Sequence, residues 1–502
     1  MHTKHNSIFR VFSMRPVEWS GPLAGNYWGA VAMVICALTP FLVLSAATNP
    51  LQSMIGHSVG LGNAGMEMSA GMADAAYCFG TILAVQLTSR LPGRRLLLLY
   101  AAVFTVATIL TASTSSPAVF FVGRIFEGLT TSLMLITAAP ALVLGFPVAR
   151  MRSTAMVMNM GIFGAVAVGP VIGGAFVSLA DWRLLFWIAA GVGAVAVVLG
   201  LLTFADQPPA DSDLEYDFES LGLASIGCTA AFFGVSNLTG HAFVSAIVLV
   251  PLLLGISCLV GLIVHQSFVK DPLMPIRQLG HTVPIAAIAL AMFAGAGSIA
   301  LVGLVQLTVL THHISSAVFW PEFGGAVLTA FLFGRLFFTK YTPLLAFAGL
   351  LGLAGTGFLI TGTSNGDTAL IAIGTGGLGL GVGASVAPGL FVAGFAMPAL
   401  QLQRIFALVE LLRGVAAFLT APLLIHLAET TGTSLDDGVG HAIWASSGLL
   451  VIGALVVSAI VAAGGLHLSN PRFAEWQAGE GTAIESTPLF AAIRKERVPV
   501  SV

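Results

Sequence analysis

The sequence predicts an all-α integral membrane protein with fourteen membrane-spanning helices, and three observations lead to this prediction. Hydrophobic residues make up 57% of the 502 residues, whereas charged residues make up only 8%. A soluble globular chain carries about 25% charged residues, so this chain could not cover a water-exposed surface. Its apolar residues also form runs of about 20, the length that crosses the hydrocarbon core as a helix. Ordinary soluble enzymes, disordered proteins and nucleic-acid-binding domains are therefore excluded.

The predicted spans follow one another in the order six, two, six. Their boundaries are 28–48, 68–89, 96–113, 117–146, 153–180, 184–205, 220–238, 243–266, 282–311, 318–338, 343–362, 369–397, 404–427 and 441–464. The first six helices, 28–205, end at the acidic, proline-bearing segment 206–219, which we expect to be an exposed cytoplasmic linker. Two extra helices occupy 220–266, and a cytoplasmic loop at 267–281 leads to the last six, 282–464.

The distribution of Lys and Arg predicts the orientation of the chain. When the N-terminal segment 1–27 and the polar tail 465–502 are both placed in the cytoplasm, most of the 20 Lys and Arg residues fall on the cytoplasmic side. Cytoplasmic loops of membrane proteins carry this excess of positive charge. The tail has no repeated pattern, and we expect it to have low order.

Three segments carry more specific information. The fifth span contains a GPxxGG segment, which a WRxxF segment follows; these residues are Gly169, Pro170, Gly173 and Gly174, then Trp182, Arg183 and Phe186. Glycines let two helices approach closely and proline bends a helix, so helix packing alone would explain an isolated GPxxGG. The two segments at this distance form a more specific pattern.

The second segment is Arg124-Ile-Phe-Glu127-Gly in the fourth span. A buried arginine is expensive in a membrane and faces a cavity or a partner. Glu127 follows three residues later and can pair with Arg124 on one helical face. The alternative to a role in transport is a self-neutralised pair that only holds helices together.

The third segment is the basic loop between the second and third spans, which contains Arg90, Gly93, Arg94 and Arg95. Its positive charge could also serve only to set the topology.

Together these segments resemble the major facilitator superfamily, in particular its branch of 14-span drug:proton antiporters. The GPxxGG segment resembles the antiporter motif of that family. The second segment resembles an RxxQG element whose arginine is linked to proton transfer, with Glu127 in place of glutamine. The basic loop resembles a gating loop, with Arg90 where the family has aspartate. The resemblance implies two pseudo-symmetric six-helix bundles, two inserted helices and a substrate site near the midplane.

Ionisable residues inside the membrane are candidates for proton coupling by default. The candidates are Asp74, Arg124, Glu127, Glu410 and Arg413. Glu410 and Arg413 repeat the three-residue spacing of the other couple, so each couple can neutralise itself. Asp74 is left without a partner nearby in the sequence, and it could load and release a proton during transport. Alternatively, Asp74 pairs with one of the two arginines across the bundle, or stays protonated and inert.

The sequence gives weaker indications of substrate contacts and of cofactors. Asn159 and Gln306 are polar at membrane depth and could contact substrate or form interhelical hydrogen bonds. Phe126 could line an apolar pocket or pack between helices. The glycine-rich run 374–383 has no preceding strand and no following Gly-Lys-Ser/Thr, so we interpret it as helix packing. The histidines form no metal pattern, and we expect no cofactor and no metal, with the proton gradient as the energy source.

The resemblance implies a secondary transporter rather than an enzyme. The favoured function is proton-coupled export of small amphiphilic compounds by a monomer in the bacterial inner, or plasma, membrane. A periplasmic adaptor is a possible partner in a Gram-negative cell. A second hypothesis keeps the fold but assigns export or uptake of one metabolite or siderophore-like compound. A membrane enzyme or a non-transporting sensor is less consistent with the sequence, because neither a clustered polar site nor a signalling domain is recognisable.

Overall fold

The computed structural model describes residues 22–23, 25–203, 216–362, 366–465 and 468–489. Within these ranges it contains fourteen helices that are long and apolar enough to span a membrane. Their bounds are α1 Tyr27–Val59, α2 Asn63–Thr88, α3 Gly93–Ser113, α4 Pro117–Leu144, α5 Val148–Leu179, α6 Trp182–Thr203, α7 Phe218–Thr239, α8 Ala246–Phe268, α9 Thr282–Thr311, α10 Ser316–Leu336, α11 Thr342–Ile360, α12 Thr368–Phe395, α13 Ala399–Thr430 and α14 Leu435–Gly464. Most of the predicted linker 206–219 lies outside the described residues.

Local capping sets several helix ends beyond their predicted positions. The predicted first span stops at 48, but α1 runs on through Pro50 to Val59. Gly60 then ends the helix in the left-handed conformation, with φ of 75°, which glycine adopts without steric cost. At the start of α12, the Asp367 side chain accepts hydrogen bonds from the backbone N–H groups of Ala369 and Leu370. Such a cap satisfies donors that have no partner within the helix.

The fourteen helices form two bundles and one additional pair. Helices α1–α6 pack together, as do α9–α14, and the two bundles meet where α2 contacts α13 and where α5 contacts α10. Helices α7 and α8 pack on each other, and α7 lies against α2 and α13. A Cβ on Gly71 of α2 would overlap the Ser236 hydroxyl of α7, so this contact is close. The additional pair therefore lies beside the α2–α13 seam.

The polar tail folds back onto the second bundle. Because the number of spans is even, the start of α1 and the end of α14 lie on one side of the membrane, which we name the terminal side. There the short helix α15 (Phe473–Gln477) stacks the Phe473 ring on Phe337, with ring centroids 5.0 Å apart. The fully buried Trp476 donates its indole N–H to the Met397 carbonyl at 2.8 Å. The expectation of low order is therefore wrong for residues 468–489.

The same tail also contacts the first bundle. The Gln477 side-chain amide donates to the backbone carbonyls of Phe146 at 2.8 Å and Leu144 at 3.2 Å, in the turn between α4 and α5. Further along, the Thr487 carbonyl accepts from the backbone N–H of Thr282 at the start of α9. The tail thus spans both bundles on the terminal side.

Candidate functional site

Two buried ion pairs lie at membrane depth, and the first is on α4. Arg124 Nη1 lies 2.6 Å from Glu127 Oε2, and the side chains are 5% and 0% exposed. The guanidinium also lies over the rings of Phe41 and Phe186, at 5.6 and 5.9 Å from their centroids. Glu127 Oε1 has no hydrogen-bond partner in the described part of the chain. The predicted neutralisation within one helix is present, and the hydroxyls of Thr108 and Thr111 on α3 lie near the Glu127 carboxylate.

The second ion pair is on α13 and reaches across the seam. Arg413 Nη2 lies 2.5 Å from Glu410 Oε2, and Arg413 Nε lies 3.3 Å from Glu410 Oε1. The hydroxyl of Tyr77 on α2 donates to the same Glu410 Oε2 at 3.3 Å. The three groups are buried. Tyr77 carries no charge at neutral pH, so the pattern of charged residues within the spans does not reveal it.

Asp74 lies on α2, one helical turn before Tyr77, and its side chain is half-buried. It makes no hydrogen bond or ion pair with the residues that the structure describes, although Arg124 and Glu67 lie within electrostatic reach. The alternative in which Asp74 forms an ion pair with Arg124 or Arg413 is therefore not what the structure shows. Asp74 can bind or release a proton without breaking an existing contact.

Two further carboxylates at membrane depth were missed from the sequence. Glu67 accepts a hydrogen bond from the Gln52 side chain at 2.8 Å. Glu322 on α10 is 3% exposed, and its Oε2 has no partner among the described residues. The predicted second span began at 68, one residue after Glu67, whereas α2 begins at Asn63. Glu322 was within the predicted tenth span, and its position inside an apolar run was the signal that could have identified it.

The GPxxGG segment packs α5 closely against two neighbours. A Cβ on Gly169 would lie 2.6 Å from the Ala46 Cβ, and one on Gly173 would overlap the Ala47 carbonyl oxygen. Both contacts are with α1. A Cβ on Gly174 would overlap the Ser316 hydroxyl at the start of α10, in the other bundle.

A proline and a wider, π-helical turn accompany these close contacts in α5. Pro170 lies within the helix and is buried, and a π-helical turn spans Met160–Gly164. A proline removes a helical hydrogen bond and often bends the helix.

The basic loop contacts the start of the additional helix pair. The Arg90 guanidinium lies 3.6 Å from the centroid of the Tyr216 ring. Arg94 donates to the Leu201 carbonyl at 3.3 Å, while Gly93 and Arg95 lie in the first turn of α3.

Just before α7, Asp217 connects the loop region with α8. Its backbone N–H donates to Gln86 Oε1 at 3.3 Å, and its carboxylate accepts from Ser220 and Gln266. Burial alone would raise the pKa of Asp217, but the hydrogen bonds from Ser220 and Gln266 and the nearby His265 together outweigh burial and lower it. The carboxylate form is therefore the one that holds this junction.

The residues predicted as substrate contacts are Asn159, Gln306 and Phe126, and the first two form hydrogen bonds between helices. Asn159 Nδ2 donates to the Gly383 carbonyl at 2.9 Å, which links α5 to α12. Asn49 Nδ2 donates to Gln306 Oε1 at 2.6 Å, which links α1 to α9. Both are the interhelical bonds considered as alternatives, although Asn159 Oδ1 and Gln306 Nε2 lack a partner in the described ranges. Phe126 is 43% exposed and lines an outer groove between α3 and α4, so it does not face the ion pairs.

The comparisons with known proteins give the family. Residues 29–320 match the model of the Major Facilitator Superfamily. The chain belongs to this superfamily. The members of this family are membrane transporters rather than enzymes, the chain has the multiple membrane-length helices of the family, and the predicted family and fold are confirmed.

Curated relatives are distant. The chain is 24% identical to the uncharacterized MFS-type transporter YubD of Bacillus subtilis, over 51% of this chain and 50% of that protein. It is 26% identical to the tetracenomycin C resistance and export protein of Streptomyces glaucescens, over 42% of this chain and 39% of that protein. It is 24% identical to the cephamycin export protein CmcT of Amycolatopsis lactamdurans, over 53% of this chain and 56% of that protein. The chain spans about half the length of the curated relatives it matches.

Solved structures match over most of their length. The human organic anion transporter MFSD10 (TETRAN) superposes with a TM-score of 0.59 at 12% identity, covering 86% of this chain and 99% of that one. A peptide transporter POT in complex with sulfate gives a TM-score of 0.62 at 16% identity, covering 88% and 97%. At these identities the likeness concerns the fold alone.

Proposed function

We propose that this transporter exports small amphiphilic organic compounds in exchange for protons, by alternating access between its two bundles. Asp74 is the observation that carries the proposal. It is a carboxyl group at membrane depth, next to the α2–α13 seam, and it makes no ion pair or hydrogen bond with the described residues. Ionisable residues inside a membrane are costly and mark proton and substrate pathways.

The two ion pairs support this assignment by their contrast with Asp74. Glu127 and Glu410 each have an arginine at 2.6 Å or less, so taking up a proton would leave a buried cation unpaired. Asp74 changes charge without this penalty. In the proposed cycle, a proton on Asp74 favours one facing state and the substrate favours the other. Glu127 is the second candidate for this role.

The export direction and the substrate class are supported by relatives. The tetracenomycin C and cephamycin proteins are named for export, at 26% and 24% identity. We place the chain in a bacterial plasma membrane with the terminal side in the cytoplasm. We also propose that it works as a monomer without a cofactor, and that a periplasmic adaptor takes part only in a Gram-negative cell.

A second candidate function is transport of one metabolite or siderophore-like compound. The contact that favours it is that of Arg90, which lies over the Tyr216 ring where the family has an aspartate in its gating loop. This departure distinguishes the chain from the drug-exporting branch that it resembles.

Accumulation assays separate these proposals. An efflux-deficient bacterium would express the chain, its Asp74→Asn variant or the matched control Glu480→Gln, which removes an exposed carboxylate outside the membrane. A panel of fluorescent cationic, neutral and anionic amphiphiles would be measured with and without a proton uncoupler. We expect cells that express the parent chain to accumulate less of the exported compounds than cells without it. Both the uncoupler and Asp74→Asn should abolish this decrease, whereas Glu480→Gln should behave like the parent.

Each other outcome has a definite meaning. Full uncoupler-sensitive export by Asp74→Asn would remove Asp74 from the mechanism. Higher accumulation would reverse the direction of transport. No change for any compound in the panel would favour the narrow-substrate function.

A further inference from the structure

Tyr77 joins the two bundles at the middle of the α2–α13 seam. It is 3% exposed, and its hydroxyl donates to Glu410 Oε2 at 3.3 Å. Its helix belongs to the first bundle, whereas Glu410 belongs to the second. The fold places these residues side by side although 333 positions separate them in the chain.

Aromatic rings extend this link to the ion pair on α4. The Tyr77 ring lies almost parallel to that of Phe41, with centroids 6.2 Å apart and an interplanar angle of 9°. Phe41 in turn lies under the Arg124 guanidinium at 5.6 Å. On its other side, the Tyr77 ring meets the edge of Phe418 on α13 at 6.2 Å. One continuous set of contacts therefore connects the ion pair of each bundle through Tyr77.

The strength of the Tyr77 bond depends on the charge of its acceptor. A hydrogen bond to an ionised carboxylate is about twice as strong as one between neutral groups, and a low dielectric strengthens it further. Alternating access moves one bundle against the other, so a bond between α2 and α13 must break or shift in each cycle. The bond between Tyr77 and Glu410 is therefore one of the contacts that must break when the seam opens.

We propose that Tyr77 is a positioning residue of the transport cycle. Its hydroxyl holds the α2–α13 seam closed through the hydrogen bond to Glu410, and the seam opens when this bond breaks. This inference rests on the proposed function, because the seam opens and closes only if the two bundles alternate in their access.

Other ionisable groups face Tyr77 and set the local charge. They are Asp74 and Cys78 on α2, Glu410 and Arg413 on α13, Arg124 and Glu127 on α4 beyond Phe41, and Cys228 on α7 near Cys78. Arg413 is the cation nearest to Glu410 among the described residues, with its Nη2 2.5 Å from Glu410 Oε2.

The state of the seam can be measured without a substrate. Gln403 Nε2 on α13 donates to Thr88 Oγ1 on α2 at 2.8 Å, so these two positions report closure on the terminal side. We would introduce Thr88→Cys and Gln403→Cys together with Cys36→Ser and Cys258→Ser. The two remaining native cysteines, Cys78 and Cys228, are fully buried. The yield of cross-linking by a short bifunctional thiol reagent, on the full chain in lipid vesicles, then reports the closed fraction.

The informative variant is Tyr77→Phe, which keeps the ring and removes only the hydroxyl. Tyr100→Phe is the matched control, because Tyr100 is also buried but its hydroxyl has no partner among the described residues. At pH 8 we expect Tyr77→Phe to lower the cross-linking rate on the order of tenfold, the effect typical of one hydrogen bond to a charged group. Tyr100→Phe should match the parent.

The proposal is overturned if Tyr77→Phe cross-links at the rate of the parent, or if Tyr100→Phe loses cross-linking to the same extent. Failure of proton-coupled export would instead appear in the accumulation assay, as uncoupler-insensitive transport. The two failures are therefore distinguishable.

Discussion

The docking of the C-terminal tail depends on a single buried indole, and Trp476→Ala is the perturbation that tests this. Trp476 is 0% exposed, meets the Phe395 ring edge-on at 5.0 Å and donates to the Met397 carbonyl at 2.8 Å. Replacing a buried tryptophan by alanine costs about 3–5 kcal/mol, including about 1 kcal/mol for the hydrogen bond. This loss would shift the docking equilibrium of residues 468–489 by more than about a hundredfold.

Hydrogen exchange of the purified full chain measures this shift directly. In Trp476→Ala, amides of the tail that bond to the second bundle, such as those of Ala483 and Ile484, should exchange more than about a hundredfold faster. Exchange within α9–α14 should not change. The matched control is Trp444→Ala, since Trp444 is 57% exposed on the outer surface of α14, packs on Phe358 and has no ring contact with the described part of the tail. Unchanged tail protection in Trp476→Ala would refute the argument that this side chain anchors the tail.

Two further predictions concern the packing of α5 and the start of α7. Gly173→Ala should lower the stability of the detergent-solubilised protein by about 1–3 kcal/mol, because its Cβ would overlap the Ala47 carbonyl. The control Gly222→Ala should leave the stability unchanged, because a Cβ there would meet open space. Equal melting temperatures for Gly173→Ala and the parent protein would contradict the prediction. Since the folded-state pKa of Asp217 is lowered, its stabilisation of the α7 start is present above the unfolded pKa of about 3.9 and is lost as pH falls through the folded value. Asp217→Asn should remove this pH dependence from hydrogen exchange in the first turn of α7, and its persistence would argue against Asp217.

Contacts between neighbours on one helix could be predicted from the sequence. Arg124 and Glu127, like Glu410 and Arg413, are three positions apart, and a helix places such residues on one face whatever surrounds it. The spans themselves follow from the length of apolar runs. These features need no knowledge of how the helices pack.

Contacts between distant segments could not be predicted in this way. The bond of Tyr77 to Glu410 and that of Asn49 to Gln306 exist only because the bundles meet along particular helices. Phe126 shows the same limit on a smaller scale. Its neighbour Glu127 is buried, but one residue along a helix turns the side chain by about 100°, which carries Phe126 to the outer surface.

The tail illustrates how a polar composition can conceal a docking segment. Only Phe473 and Trp476 of α15 are buried, too few to give a hydrophobic pattern. Their binding surface is formed by Phe337, directly after α10, and by Phe395, at the end of α12. The tail sequence does not reveal this surface.

The different surroundings of Asp74 and Glu127 determine which substitution can test proton coupling cleanly. Glu127→Gln would leave Arg124 buried without its carboxylate, and breaking a buried ion pair in this way costs about 3–5 kcal/mol. A loss of transport in that variant would therefore mix misfolding with loss of coupling. Asp74→Asn breaks no hydrogen bond or ion pair within the described residues and keeps the side-chain volume. If Asp74→Asn retains the thermal stability of the parent but loses uncoupler-sensitive transport, the defect lies in coupling; if stability falls as well, Asp74 has a structural partner and its assignment as the coupling group is wrong.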